Sequence, residues 1–265
     1  MRRLVDGRGV ACEVATPPHR IVSLVPSTTE TLHALGLQDR VVGATRFCIR
    51  PSPWARSLPR VGGTKDADPG RIRDLKPDLI VANCEENTRE IFDVLDGLCP
   101  IWAAFPRDVD GAVRDLTCMG ELLGAENAAA DWVRDIQSAR AEAAAAKRKN
   151  GSFSYAWLIW NDPLMTVSDD TFVGSMMAEV GGINVFADHT DRFPTTDAAT
   201  LGAAAPDVVL LSSEPFPFKA RHLVALSQAT GLAPERFRFV DGQHGTWHGV
   251  RMAEGLRSLS AIGCL

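Results

Sequence analysis

ENAAADWVRDIQSARAEAAAAKRKN, residues 126–150, is an alanine-rich stretch that contains neither proline nor glycine. Alanine has the strongest intrinsic preference for the α-helix. Asp131 and Asp135 lie in its first half and Lys147–Lys149 close it, which suits the helix dipole. We therefore predict one helix over residues 126–150, roughly 30 Å or more in length. Asn127 is the predicted cap of its first turn, and the pair at 150–151 is a left-handed stop.

The apolar face of this predicted helix is thin. It consists of Trp132, Val133 and Ile136, followed mostly by alanine. A long helix with so little to bury is more typical of a connection between two lobes than of a core element. The alternative is an ordinary surface helix on a single domain.

The two halves of the chain repeat a β/α pattern on either side of this helix. A Pro-Asp-apolar strand at 77–82, PDLIVA, returns 129 positions later at 206–211 as PDVVLL, and each copy runs into an acidic loop. We predict an α/β fold of two Rossmann-like β/α lobes, joined by one long backbone helix, with a ligand cleft between the lobes. The predicted N-terminal lobe is 1–125, the helix 126–150 and the C-terminal lobe 151–265.

Further elements follow from apolar runs and turn residues. Strands are predicted at 21–25, 40–44, 99–103, 154–160 and 237–240, and helices at 109–123, 171–180 and 250–261. Ser27 or Thr28 is the predicted cap of a helix that follows the strand at 21–25. This cap falls at the carboxyl end of a parallel strand, where open α/β sheets bind ligands.

Composition excludes several classes of partner. The net charge is -5 and no basic cluster lies outside the helix end, so neither nucleic acid nor an anionic membrane is an expected partner. The six cysteines (12, 48, 84, 99, 118 and 264) form no C-x-x-C pair, so neither a zinc knuckle nor a redox dithiol is predicted.

The first 24 residues have no apolar leader segment. Leu4 to Val14 instead predicts a hairpin that turns at 6–7 or 8–9. We expect a cytoplasmic protein with reduced thiols. The alternative is a periplasmic protein whose leader has been removed.

Four polar positions in the first half are candidate ligand contacts. Cys48, in a proline-rich loop, is either a soft contact to a bound metal chelate or a buried small side chain. The glycine spacing before Lys65 is not that of a P-loop, so Lys65 is no more than a candidate cation in the cleft. Glu85 and Glu86 are candidate cleft acids, although acids at such positions are commonly solvated helix starts.

The second half contributes aromatic and charged candidates. Glu214 occupies the loop equivalent to that of Glu85 and Glu86. Flat apolar walls suit a corrin or haem macrocycle, and the predicted wall residues all follow strands. They are Trp160, Phe193, Phe216 and Trp247. Arg251 is a candidate contact to ligand carboxamides or carboxylates, and Asp241 lies across the same loop.

A direct metal site is a further alternative. His244 and His248 are four positions apart, but Gly245 and Gly249 argue against the helix that would bring them together. A site built from Cys48, Glu85 or Glu86, and His248 remains open. No G-x-S-x-G, H-E-x-x-H or dinucleotide fingerprint is present, so no catalytic residue and no obligatory cofactor is predicted.

The chain contains the stretches RIVSLVPSTTETLHALGLQDRVVG, VGGTK, LKPDLIVAN and EVGGINVF. Together they resemble the substrate-binding proteins with a helical backbone, which are the cobalamin and iron–siderophore receptors of ABC importers. The resemblance covers about residues 18–260. It implies two Rossmann-like lobes on one helix, binding without turnover, and a bound corrinoid or other metal chelate. Phe193-Pro194 matches an aromatic-proline position that contacts the corrin. Four further stretches resemble a branch of this family without a secretion leader; they are TRFCIRP, ANCEENTRE, LSSEPFPF and GTWHG.

The departures from this family bear on partners. Transport-competent relatives carry a glutamate on each lobe that docks on the membrane permease, whereas this chain has Gly70 and Ala198 or Ala199 there. Asp68 and Asp197 are the nearby acids that could substitute. We therefore expect an intracellular carrier or sensor of a metal chelate. The alternatives are an importer receptor and a metal-ion-binding protein.

Overall fold

A computed structural model describes residues 1–15 and 17–263; Cys264, one of the six cysteines, lies outside them. The chain divides into two units. Unit 1 contains Met1–Pro106, Asp110–Asp135 and His248–Val250. Unit 2 contains Arg107–Val109, Ile136–Trp247 and Arg251–Leu265.

Unit 1 is built on a four-stranded parallel sheet with helices in its connections. Its elements are β1 (Arg2–Val5), β2 (Ala11–Val14), β3 (Ile21–Ser23), α1 (Pro26–Ala34), β4 (Val41–Ala44), α2 (Trp54–Ser57), α3 (Pro69–Asp74), β5 (Leu79–Asn83), α4 (Arg89–Leu95), β6 (Ile101–Ala104), α5 (Val109–Leu123) and the first part of α6 (Glu126–Asn150). The strand order is β4-β3-β5-β6. Val22, Ile80 and Ala103 of this sheet pack against Ile72 and Ile91 of the helices.

Unit 2 repeats this arrangement. After α6 come β7 (Phe153–Leu158), β8 (Trp160–Asn161), β9 (Leu164–Met165), α7 (Phe172–Glu179), β10 (Gly182–Asn184), α8 (Ala198–Ala204), β11 (Val208–Ser212), α9 (Ala220–Thr230), β12 (Phe237–Val240), α10 (Gln243–Thr246) and α11 (Met252–Ser260). The parallel sheet has the order β10-β7-β11-β12. Each strand of this four-stranded sheet thus has a counterpart at the same place in the parallel sheet of unit 1. The predicted α/β class with two such sheets is confirmed.

The internal repeat extends to single residues. Lys76 and Ala205, 129 positions apart, both have positive φ, at 48° and 44°. Each ends a helix in the left-handed region before a Pro-Asp pair. Asp78 then accepts backbone N–H groups from the start of β3, and Asp207 accepts the Ser154 N–H in β7 at 2.7 Å. Both carboxylates therefore tie the start of the third strand to the start of the first.

The predicted long helix is present over Glu126–Asn150, and the division between the units falls inside it, after Asp135. Its buried face consists of Ala129 in unit 1 and of Ile136, Ala139 and Ala143 in unit 2. These positions follow helical spacing; of the predicted apolar residues Trp132, Val133 and Ile136 only Ile136 is buried, and the other buried positions are alanines.

The predicted N-terminal hairpin is formed by β1 and β2 and turns after a buried aspartate. Asp6 accepts hydrogen bonds from Arg8 N and Val10 N, at 2.9 and 3.1 Å, and from Ala103 N of β6 at 3.3 Å. Gly7 N donates to Ala103 O at 2.7 Å, and a Cβ on this glycine would lie 2.7 Å from the same oxygen. The turn therefore covers the outer edge of β6 and requires glycine at position 7.

Two predicted helix caps are wrong. Helix α1 starts at Pro26 after Val25, so Ser27 and Thr28 lie inside its first turn instead of capping it. Proline suits the first helical position because its missing N–H would have no partner there. Asn127 likewise lies inside α6. Gly245 lies in the short helix α10, but this helix ends at Thr246, so the prediction that no helix contains both His244 and His248 is confirmed.

Within the described ranges 1–15 and 17–263, no helix combines the length and apolar character that crossing a bilayer requires. The described cysteines are free thiols. Burial raises the pKa of Cys84 to about 11 and that of Cys99 to about 12. These thiols are therefore protonated at neutral pH.

Candidate functional site

The sheet topology of each unit marks one place for ligand binding. The first strand lies between the second and the third, so the connections reverse direction between β3 and β5 in unit 1 and between β7 and β11 in unit 2. Open parallel sheets bind ligands outside the carboxyl ends of their strands at such a switch point. The residues that follow these four strands are therefore the candidate site of each unit.

A buried polar network fills the switch point of unit 1. The His248 imidazole contacts both flanking strand ends, with Nε2 3.1 Å from Asn83 Nδ2 and 3.4 Å from Ser27 Oγ. Gly249 has a φ of 87° and packs on Thr31, whose hydroxyl lies 3.4 Å from Val250 N. Burial lowers the pKa of His248 to about 4, so this histidine is neutral at physiological pH.

Asn83 also shapes the loop that carries the predicted acids. Its Oδ1 accepts the Glu85 N–H at 2.7 Å and the Glu86 N–H at 3.3 Å. Asn87 closes the same loop, because its Oδ1 accepts Asn83 N at 2.9 Å and its Nδ2 donates to Thr64 O at 2.7 Å. The network is buried, whereas Glu85 and Glu86 themselves are exposed.

The other predicted residues of unit 1 have different environments. Thr28 is buried, and its hydroxyl is among the buried polar atoms without a partner in the described chain. Cys48 is fully buried, with Sγ 3.1 Å from Thr45 Oγ1, and burial raises the pKa of its thiol. Lys65 is exposed in the loop after Thr64. The geometry of Cys48 favours the buried-side-chain interpretation over the metal-contact one.

In unit 2, the Glu214 carboxylate holds the tryptophan of the last loop. Its Oε1 accepts the Trp247 indole N–H at 2.8 Å and the Thr246 hydroxyl at 3.0 Å. Burial raises the pKa of Glu214, and these hydrogen bonds act in the opposite direction. The guanidinium of Arg251 lies over the Trp247 ring, 5.3 Å from its centroid, and pairs with Glu254 at 3.2 Å. Trp247 is thus held by Glu214 at its indole N–H and covered by Arg251 on its ring face.

An aromatic group follows β7 and β11. Trp160 and Phe216 meet edge to face with ring centroids 5.6 Å apart, and Phe216 contacts Phe218 at 4.9 Å. Trp160 is 41% exposed. Phe193 is 42% exposed, next to the guanidinium of Arg192. Large aromatic side chains this exposed, Trp160 after β7 and Phe193 after β10, offer flat apolar surface to a ligand.

Four residues of these regions were not identified from the sequence. Asn83 and Asn87 read as part of a polar loop start, and their buried bonding depends on chain partners distant in sequence. Phe47 and Phe105 are exposed aromatic residues just beyond the carboxyl ends of β4 and β6. A search for aromatic residues directly after every predicted strand would have found both of them.

The histidine pair does not share a partner. His244 lies in α10, with Nε2 3.4 Å from Glu254 Oε1, whereas His248 contacts Asn83 and Ser27. Position 245 in α10 requires a glycine, because an added Cβ would lie 2.5 Å from the Trp157 ring. Within residues 1–15 and 17–263, no three His, Cys, Asp or Glu side chains are grouped so that they could hold a metal ion.

The two acids near the expected docking positions are helix caps. Asp68 accepts the backbone N–H groups of Gly70 and Arg71 at 2.9 and 3.1 Å at the start of α3. Asp197, 129 positions later, accepts Thr200 N at 2.7 Å at the start of α8. Both carboxylates therefore already serve the chain's own backbone.

Known proteins of similar sequence and fold are binding proteins. Residues 21–232 match the family model described as periplasmic binding protein. The vitamin B12-binding protein of Yersinia pestis (strain Pestoides F) is 29% identical over 203 residues, which cover 75% of this chain and 71% of that protein.

Two solved structures share the fold. The periplasmic vitamin B12 binding protein BtuF of Vibrio cholerae superposes with a TM-score of 0.79 at 22% identity, covering 94% of this chain and 97% of that one. The periplasmic heme-binding protein RhuT from Roseiflexus sp. RS-1, in apo form, gives 0.81 at 22% identity, covering 92% and 97%. The family match spans most of the chain, and the fold agrees over more than nine-tenths of it. The chain is therefore a member of the periplasmic binding protein family, the helical-backbone class of ligand-binding proteins.

Proposed function

We propose that this protein binds a corrinoid, or another planar metal chelate, at loops that follow the strands of its parallel sheets and releases it chemically unchanged. The observation that carries the proposal is the exposed aromatic surface at these loops. Trp160 and Phe193 leave about two-fifths of their surface in solvent, and Phe47 and Phe105 are also exposed. Large exposed apolar surface on a soluble protein commonly marks a binding site.

Charge at the same loops suits a ligand with a polar rim. Glu85 and Glu86 are exposed in the loop after β5, and carboxylates can accept hydrogen bonds from ligand amides. In unit 2 the Arg251 guanidinium is a donor suited to carboxamides and carboxylates. A macrocycle with amide or carboxylate side groups combines the flat apolar face and the polar rim that these residues fit.

The relatives point to the same class of ligand. Their names describe binding of vitamin B12 and of heme, both of which are planar macrocycles around a metal. These names describe binding, and the proposal is accordingly one of binding without turnover. A carrier or sensor inside the cell is the role we favour.

A receptor for an ABC importer is the second candidate. Its support is that the similar structures are described as periplasmic proteins. Gly70 and Ala198 or Ala199 at the docking positions argue against it, because none of these side chains can form an ion pair with a permease. Co-purification with a permease from the native membrane would support the importer role. Recovery of the protein from the cytoplasmic fraction, without a permease, would support the carrier role.

The ligand is tested by titrating the purified protein with cobalamin, cobinamide and haemin. Calorimetry and visible spectra are expected to show saturable binding of at least one of them, with a Kd below about 100 μM. Mass spectrometry of the released ligand should return it unchanged. Absence of binding to all three below about 100 μM would refute the proposal, and a modified ligand would refute its non-enzymatic part.

A further inference from the structure

We propose that Asn83 is a positioning residue that holds His248 neutral, protonated on Nδ1, with Nε2 occupied as an acceptor. His248 then supplies no nitrogen ligand to the metal of a bound chelate. This consequence rests on the proposed function, whereas the protonation pattern is a property of the protein without ligand.

The orientation of the Asn83 amide follows from its backbone contacts. Glu85 N lies 2.7 Å and Glu86 N 3.3 Å from the Asn83 atom assigned as Oδ1. Both partners are N–H donors, so only an oxygen can occupy that position. The amide nitrogen must therefore be the atom that faces His248, at 3.1 Å.

The opposite assignment of the amide would create unfavourable contacts. A flip would place the NH₂ group against two backbone N–H groups, and Asn83 is only 3% exposed, so water could not relieve the conflict. Asn87 Oδ1 also accepts the Asn83 backbone N–H at 2.9 Å, which fixes the residue in place. One orientation of the amide is therefore compatible with the surroundings.

The orientation of the amide determines the tautomer of the imidazole. A donor at 3.1 Å requires His248 Nε2 to be an acceptor, and a neutral imidazole then carries its proton on Nδ1. The Ser27 hydroxyl, 3.4 Å from the same nitrogen, is compatible with a second, weaker donation. Burial favours the neutral form in the same direction.

The consequence for recognition is specific. A histidine binds a metal through a ring nitrogen that has a free lone pair. In His248 the lone pair of Nε2 is engaged by Asn83, and Nδ1 carries the proton. His248 therefore acts as a neutral buried wall of the unit 1 site.

The tautomer is measured directly by long-range ¹H–¹⁵N spectra of the ligand-free, histidine-labelled protein at pH 7. His248 is assigned from the signals that disappear in His248→Gln. We expect an Nδ1-protonated neutral ring in the native protein. An Nε2-protonated or doubly protonated ring would overturn the proposal, whether or not the protein binds any chelate.

Asn83→Asp tests the role of the amide. One carboxylate oxygen can still accept the loop N–H groups, but the other replaces the donor at His248 Nε2. We expect the proton signature to move to Nε2, or to both nitrogens. Asn184→Asp is the matched control: Asn184 is also buried, accepts Phe186 N two residues ahead at 3.0 Å and donates to Val167 O at 2.9 Å.

The ¹H–¹⁵N signals of His248 in the Asn184→Asp protein should match those of the native protein. If Asn83→Asp left the ring protonated on Nδ1 alone, Asn83 would not be the positioning residue. The metal consequence is tested separately with haemin. Its bound visible spectrum should be the same for the native protein and His248→Gln, and a nitrogen-ligated spectrum lost in the variant would contradict the inference. Failure of haemin to bind would count against the proposed function and leave the tautomer result intact.

Discussion

The contact between Glu214 and Trp247 gives a quantitative prediction about how the last loop of unit 2 is held. Glu214→Ala removes the acceptor of the Trp247 N–H, which lies 2.8 Å from the carboxylate in a buried setting. Thr246 keeps a second acceptor in Gly242 O at 2.9 Å. One buried N–H is therefore orphaned, at a cost of about 1–3 kcal/mol. With the lost side-chain packing, we expect a destabilisation of about 2–4 kcal/mol.

Glu214→Gln is expected to behave differently. The glutamine carbonyl can still accept from Trp247 and Thr246. The side-chain oxygen of Gln243 is buried without a hydrogen-bond partner. The new NH₂ group can donate to this oxygen once the Gln243 amide rotates. The substitution also removes the cost of a buried charge. Stability at pH 7 should therefore stay within about 1 kcal/mol of the native protein, or increase.

The pH dependence has a defined sign. Burial raises the folded-state pKa of Glu214 above its ordinary 4.5, so the folded state favours the protonated acid. The stability contributed by protonation is fully present below 4.5 and is lost as the pH rises through the folded-state pKa. Glutamine imitates the protonated form at every pH. The Glu214→Gln protein should therefore gain stability relative to the native protein across this window.

The assay is urea and thermal unfolding at several pH values between 4 and 8. For a chain of this size about 1 kcal/mol corresponds to roughly 2–4 °C in Tm, so the alanine variant should melt roughly 5–15 °C lower. Glu235→Gln, an exposed acid of the same unit, is the control and should change little. An alanine variant as stable as the native protein, or a glutamine variant as unstable as the alanine one, would refute the reasoning.

Three further predictions follow from other contacts. Trp160→Ala should weaken ligand binding by about 10- to 100-fold, because roughly 100 Å² of apolar contact is worth about 2.5 kcal/mol. Calorimetry measures the affinity. Phe239 is an exposed residue of β12, and Phe239→Ala is the control that should leave the affinity unchanged. Asp6→Ala should destabilise unit 1 by about 3 kcal/mol or more in urea unfolding, because buried N–H donors lose their charged acceptor, whereas the exposed Glu13→Ala should change stability by less than about 0.5 kcal/mol. The Asp207 carboxylate accepts the backbone N–H and the hydroxyl of one serine, which lowers its pKa. Asp207→Asn should therefore lower Tm at pH 7, and the difference should disappear as the pH falls below 3.8 through the folded-state pKa; an unchanged difference at pH 2.5 would contradict this.

The sequence was most informative where local preference and tertiary packing agree. Helices α5 and α6 were predicted with their observed ends, as was strand β12, because alanine and apolar periodicity mark them without help from distant residues. Helix α9 was not predicted, because Leu226 is its buried residue and a single apolar contact gives a weak periodic signal. The start of α1 was misplaced because Pro26 occupies the first helical position, which makes a side-chain cap unnecessary.

The residues of the candidate site also differ in how far the sequence alone predicts them. The exposure of Trp160 could be predicted from its place after a strand, but the same argument was wrong for Trp247, which is only 8% exposed. The bonds of Asn83 could not, because its partner His248 lies 165 positions away in the chain. Cys48 shows the converse difficulty: a cysteine in a proline-rich loop gives no sign of its burial, which depends on how that loop folds against Thr45.

Amide chemical-shift mapping during titration with cobinamide or haemin tests the central claim most directly. If the chain binds its ligand at the carboxyl ends of its parallel strands, the perturbed amides should cluster in the loops after β3, β5, β7 and β11. Asn83–Glu86 and Trp160 should be among them. Saturable binding that perturbs only amides elsewhere, such as those of the N-terminal hairpin or of α9, would contradict the account.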